Sequence, residues 1–170
     1  MSEARDYATV LAAILNGYAP VSDASVMTVM DSGSLCSIDK GGILFPEKRY
    51  NAFEYFQLEG ISRRFNTDED MQEISTCIYQ ERAVITPHFA RTKNGHSIFT
   101  LQVLTACTYL QVPVGAFDAL RRSNHEFRLF GQRVVGREFI RSLRYEVLFR
   151  SSSARDRLMY FRQHYPYWKI

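Results

Sequence analysis

Four arginines, Arg133, Arg137, Arg141 and Arg144, stand four, four and three residues apart. On a helix they share one face, within about 80° of arc. Val135, Phe139 and Leu143 fall away from them, and Ile140 and Val147 border the stripe. A guanidinium presents a planar fork of donors that matches phosphate or carboxylate oxygens. Arg121 and Arg122 close the preceding apolar segment and join the same set. Arg121, Arg122, Arg133, Arg137, Arg141 and Arg144 are therefore the candidate nucleic-acid contacts. Covalent or metal chemistry has no comparable signal. His88, His96, His125 and His164 have no zinc-ligand spacing to one another or to Cys36, Cys77 and Cys107. Gly41 and Gly42 lack phosphate-loop spacing, and neither H-E-x-x-H nor G-x-S-x-G occurs. The expectation is a non-enzymatic chain with no cofactor and no metal. Were it an enzyme, His88, Cys77 and Asp39 would be the first residues to test.

The elements that must position these groups are legible in part. Residues 4–16 carry Tyr7, Val10, Leu11, Ile14 and Leu15 at helical spacing, stopped by Gly17. Residues 26–30 are short, apolar and β-branched, which predicts a strand. Residues 35–38 and 43–45 flank Asp39-Lys-Gly-Gly and predict a hairpin. Residues 50–65 fit neither period cleanly and lean to strand. Asn66-Thr-Asp-Glu-Asp has the form of a helix start, with acids in the first turn, and predicts a helix to about residue 80. Residues 83–86 predict a strand. Residues 89–92 and 97 onward, joined by Lys93-Asn94-Gly95-His96, predict a second hairpin, because Asn-Gly suits a turn with two positive φ values. Beyond the arginine helix, Ser151-Ser-Ser153 is a break, with Ser153 and Asp156 as the next cap. The closing His164-Tyr-Pro-Tyr-Trp-Lys-Ile is an aromatic tail suited to packing or to stacking on bases.

Residues 103–123 read VLTACTYLQVPVGAFDALRRS. Ala106, Leu110, Val112, Pro113, Gly115, Phe117 and Leu120 fit a helix ending near Gln111, a tight turn, and a second helix from about Val114. This resembles a helix-turn-helix unit, most closely the DNA-binding end of bacterial sigma factors. The resemblance covers about 20 of the 170 residues and implies base contacts from the start of the second helix. Gln111 departs from the pattern at the turn. Val114, Gly115, Ala116 and Asp118 offer few donors there. A plain helix-packing corner is the alternative reading.

Charge follows the same division. The chain has a formal net charge of +3. Residues 1–120 hold 9 Lys+Arg against 14 Asp+Glu, and residues 121–170 hold 12 against 4. The expectation is an α+β fold, in which a mixed N-terminal body with short antiparallel hairpins and helices precedes an Arg-rich helical C-terminal third. The acidic body would be 1–120 and the basic segment 121–170, in one continuous domain. Its partner would be nucleic acid or an acidic protein surface, with homo-oligomer formation also in view. The alternative is a structural or assembly protein of a phage, plasmid or multisubunit particle. No run of about 18 apolar residues suggests a membrane span. Three scattered cysteines and the lack of a secretory leader pattern suggest the cytoplasm.

Overall fold

The computed structural model describes residues 2–151 and 153–164, so most of the aromatic tail lies outside the described residues. Two helices come first, α1 (Ser2–Asn16) and α2 (Asp23–Ser32). Strands β1 (Ser34–Ile38), β2 (Ile43–Phe45), β3 (Phe53–Glu59), β4 (Ser62–Thr67), β5 (Glu73–Tyr79) and β6 (Ala83–Val84) follow. A single helical turn, α3 (His88–Arg91), precedes β7 (Thr92–Lys93), β8 (His96–Ser97), β9 (Thr100–Val103) and β10 (Cys107–Pro113). Helices α4 (Val114–Ser123), α5 (His125–Ser151) and α6 (Ala154–His164) end the chain. Contacts divide it into two compact units, Met1–Val134 and Val135–Ile170. The fold is α+β, with antiparallel sheets, as the sequence implied.

In the first unit two four-stranded sheets run β1-β10-β3-β6 and β2-β9-β4-β5. One core lies between them, built on Phe45, Tyr55, Tyr79, Leu101, Val103 and Tyr109. A second core lies on the other face of the first sheet, where Phe56, Leu58, Leu110 and Val112 meet Leu11, Leu15, Val29, Phe117, Phe127 and Phe130 from the helices. The central strands β3 and β10 thus feed both cores from alternate residues, the pattern of a strand covered on both faces. In the second unit, Tyr145 of α5 meets Tyr160 of α6 edge to face, with ring centroids 6.4 Å apart.

Several expectations are corrected here. The first half of the helix-turn-helix reading is overturned. Residues 107–113 are strand β10, paired antiparallel with β1 and β3, and only the second helix, α4, is helical. Cys107 and Tyr109 enter one core while Leu110 and Val112 enter the other. A doubly buried strand shows apolar residues at nearly every position, which periodicity cannot tell from a buried helix. Residues 66–80 form the β4–β5 hairpin rather than a helix. Asp68 Oδ1 accepts the amides of Asp70 (3.0 Å) and Gln72 (2.8 Å), so the cap-like residues close a turn. Residues 26–30 lie in helix α2, capped by Ser22, with Val26 and Val29 buried on one face. Strands β1 and β2 form but do not pair with each other. They join different sheets, β1 on β10 and β2 on β9. Residues 88–91 are helix α3, not strand. The Asn-Gly turn stands, with Asn94 at φ 53° and Gly95 at φ 77°. The Ser153 cap stands too, with Ser153 Oγ accepting the Asp156 amide at 3.2 Å.

Candidate functional site

Even-numbered residues of β3 face the helices. Glu54 is among them, in a row that otherwise holds Phe56 and Leu58. It is 5% exposed. Its Oε2 accepts the His88 amide at 2.9 Å. Its Oε1 accepts no hydrogen bond, and Arg121 Nη2 stands 3.9 Å away. Burial pushes the Glu54 carboxyl above its ordinary range, while the His88 amide and the Arg91 and Arg121 cations pull the other way. His88 is held in place by its Nε2, 2.7 Å from the Asn51 carbonyl oxygen. Pro87 begins α3 with φ −53°, a value its ring imposes.

Arg91, at the end of α3, is fully buried. Its Nη2 donates to the Phe53 carbonyl, whereas Nε and Nη1 have no hydrogen-bond partner. The guanidinium lies 4.8 Å from the centroid of Phe45 and 5.0 Å from that of Tyr55. Burial lowers its pKa, and Glu54 is the chief influence opposing that. Rings on one side and a carboxylate nearby are what keep the cation tolerable in the interior.

Beside Glu54 lies a small recess of about 20 Å³. Its walls are Phe56 and Val84 from the sheet, Pro87 and Phe89 from α3, and Phe117, Phe130 and Val134 from α4 and α5. Glu54 and Arg121 are the charged residues of the lining. Gly131 matters to this arrangement. A Cβ there would come within 3.2 Å of Arg121 Cδ, so the glycine leaves room for Arg121 to cross α5 toward Glu54. A mainly apolar lining with few convergent polar groups is the composition that small-molecule sites favour. A buried carboxyl with a shifted pKa inside it strengthens that reading.

The arginines singled out in the sequence do not gather in one place. Arg121 lies in the recess, paired with Asp118 and Glu54. Arg122 is exposed on α4. Arg133 is exposed and donates to the Tyr18 carbonyl at 2.9 Å. Arg137 and Arg144 are exposed on α5. Arg141 is half-buried and pairs with Glu138 at 2.5 Å. Sequence reasoning passed over Glu54 and Arg91. The available signal was a charged residue inside an apolar run, Phe53-Glu-Tyr-Phe56, where a surface strand would have shown clean alternation.

No family model matches this chain, and no curated protein sequence matches it. Solved structures do. The sensor domain of the transcriptional regulator DNR from Pseudomonas aeruginosa superposes with a TM-score of 0.66 at 16% identity, over 88% of this chain and 94% of that one. This chain has the fold of that sensor domain. The N-terminal domain of a transcriptional regulator from Streptomyces coelicolor gives 0.62 at 20% identity, over 85% and 99% of the two chains. The CO-dependent transcription factor CooA from Carboxydothermus hydrogenoformans gives 0.59 at 19%, over 89% of this chain and 62% of its own. These neighbours are regulators by name. Among the described residues no helix is long and apolar enough to cross a membrane.

Proposed function

We propose that this chain is the effector-sensing part of a regulator, taking a small molecule in the recess over Glu54 and working as a pair of identical chains. The observation that carries the reading is the buried, unbonded Glu54 Oε1 in an apolar recess bounded by both sheet and helices. A ligand there touches β3, α3, α4 and the start of α5 together, so its occupancy biases how those elements pack. The likeness to domains named as sensors of transcriptional regulators supports the assignment.

Pairing is supported by α5. Gly136, Ile140, Leu143 and Val147 are spaced four, three and four, the seam of a two-stranded coiled coil. Ile140 is 51% exposed, Leu143 46% and Val147 64%, an apolar strip of the kind that marks an association surface. The test combines a thermal-shift screen of small molecules with sedimentation equilibrium. Hits on the wild type that vanish when Val134→Phe fills the recess support sensing, as does a dimer mass lost on Leu143→Glu. A monomer at all concentrations with no recess-dependent hit overturns it.

A second reading keeps the nucleic-acid partner. Arg122, Arg133, Arg137 and Arg144 are exposed on α4 and α5, which favours a phosphate backbone or an acidic protein surface as an additional partner.

A further inference from the structure

A roomier opening lies elsewhere in the first unit, where the chain leaves β2. The loop 46–51 runs beside the β7–β8 hairpin, and backbone hydrogen bonds tie the two together. The Lys48 amide donates to the Ser97 carbonyl at 2.7 Å, the Ser97 amide to the Arg49 carbonyl at 2.9 Å, and the Asn51 amide to the Gly95 carbonyl at 2.9 Å. Gly95 lets Tyr50 lie against the hairpin, since a Cβ there would come within 2.8 Å of the Tyr50 ring. The two segments thus form one shelf. On it lies a groove of about 470 Å³, lined chiefly by Glu47, Lys48, Lys93, Asn94, His96 and Ile98. That volume falls within the roughly 300–1,000 Å³ of small-molecule sites. The groove is open to solvent, so its occupant is held by charge more than by burial.

The lining carries two ammonium groups from separate segments. The Lys48 side chain is 88% exposed, with Glu47 4.0 Å away. Lys93 is exposed and has no carboxylate partner among the described residues. Lys48 holds φ 63°, a backbone region that glycine or asparagine takes more readily than lysine. A lysine there carries a backbone cost and sets its long cation on the groove. The His96 ring is held by its Nδ1, 3.0 Å from the Asn94 carbonyl oxygen, and by the Tyr50 ring edge-on at 6.0 Å. Ile98, 45% exposed, is the apolar part of the lining. An ammonium is a point charge whose three donors suit the several oxygens of a tetrahedral anion. A planar carboxylate is matched better by the arginine fork, which the lining lacks. A bare phosphate would fill little of the volume and leave Ile98 uncovered. We propose that the groove is a second ligand site, taking a small phosphate monoester whose dianion is held by Lys48 and Lys93 and whose organic body covers Ile98. It shares no lining residue with the recess beside Glu54, so it stands or falls independently of the sensing reading.

Phenyl phosphate titrated into the isotope-labelled full-length chain, followed by amide chemical shifts at low ionic strength, tests this. It should bind saturably at one per chain and move the amides of residues 47–51 and 93–98. Benzoate, a planar monoanion, and inorganic phosphate, which has no organic body, should each bind at least about fivefold more weakly. Lys93→Ala should weaken phenyl phosphate about fivefold, the upper worth of one exposed charge pair. Lys48→Gly should do the same with thermal stability close to that of the wild type, because glycine accepts φ 63°. The double variant should bind no phenyl phosphate, with the amide spectrum outside the shelf unchanged. Val134→Phe, in the recess, should bind it as the wild type does. Undiminished affinity in the double variant overturns the proposal. Benzoate or inorganic phosphate binding as tightly as phenyl phosphate does so too, as does loss of binding in Val134→Phe. A hexaglutamate peptide that binds the shelf more tightly than phenyl phosphate overturns it in favour of an acidic protein partner. The absence of any saturable shift overturns it outright.

Discussion

Glu54→Leu and Arg91→Met, made singly and together, measure how two buried charges support one another. Glu54 is 5% exposed and Arg91 0%, and each has one hydrogen bond to its charged group, from the His88 amide and to the Phe53 carbonyl respectively. One carboxylate oxygen and two guanidinium nitrogens have none. No direct ion pair joins Glu54 to Arg91, and they act on one another at longer range; removing a partner of a directly paired buried charge costs about 3–5 kcal/mol, because the other charge is left in the interior. The lower end applies to both. Arg91 keeps the rings of Phe45 and Tyr55, and Glu54 keeps Arg121 at 3.9 Å. Each single variant is therefore expected to lose about 3 kcal/mol at pH 7. The double variant removes both desolvation penalties and adds apolar contacts, so it should lie within about 1–2 kcal/mol of the wild type. Urea unfolding with linear extrapolation gives the four stabilities. A double variant near the sum of the singles, about 6 kcal/mol down, would show the two groups uncoupled and refute the reasoning.

The same cycle has a pH arm. Burial raises the Glu54 carboxyl above 4.5, and Arg91 is one of the influences holding it down. In Arg91→Met it rises further. Across the window from about 4.5 up to the folded value, the folded chain holds a proton the unfolded chain has released, so stability falls as pH rises. The Arg91→Met deficit should accordingly be greatest above the folded value and shrink as the solution is acidified toward 4.5.

Other outcomes follow from particular contacts. Leu143→Glu, on the exposed seam of α5, should shift sedimentation toward the monomer with little change in unfolding of the first unit. Gly60→Ala should cost several kcal/mol, about 3 or more, or prevent folding, since φ is +84° and a Cβ would collide with the Ala106 carbonyl and Cys107 Sγ; wild-type stability in that variant would place the β3–β4 turn elsewhere. Phe117→Ala, at the junction of Phe56, Phe127 and Phe130, should lose about 3–5 kcal/mol in chemical unfolding. If Arg122, Arg133, Arg137 and Arg144 all meet phosphates, the affinity for duplex DNA should fall with log salt at a slope near −3 to −4, flattening by about one for each Arg→Ala. A salt-independent affinity, or none at low salt, would remove nucleic acid as a partner of these arginines.

What the sequence settled by itself is local in origin. The α1 stripe, the Asn94-Gly95 turn, the Ser153–Asp156 cap and the helix carrying Arg133 to Arg144 depend on side chains a few residues apart, and each is present in the fold. The overall α+β character came through for the same reason. Tertiary structure decided the rest, because the deciding partners lie far along the chain. Leu110 and Val112 look helical until β1 and β3 close on both sides of them. Asp68 looks like a helix cap until the Arg63 and Arg64 strand draws residues 73–79 alongside. Glu54 and Arg121, 67 positions apart in number, become a recess only when α4 folds back over β3. Spacing along a chain encodes which face a residue occupies, whereas burial on both faces erases that spacing, and here the buried strands carry the candidate site.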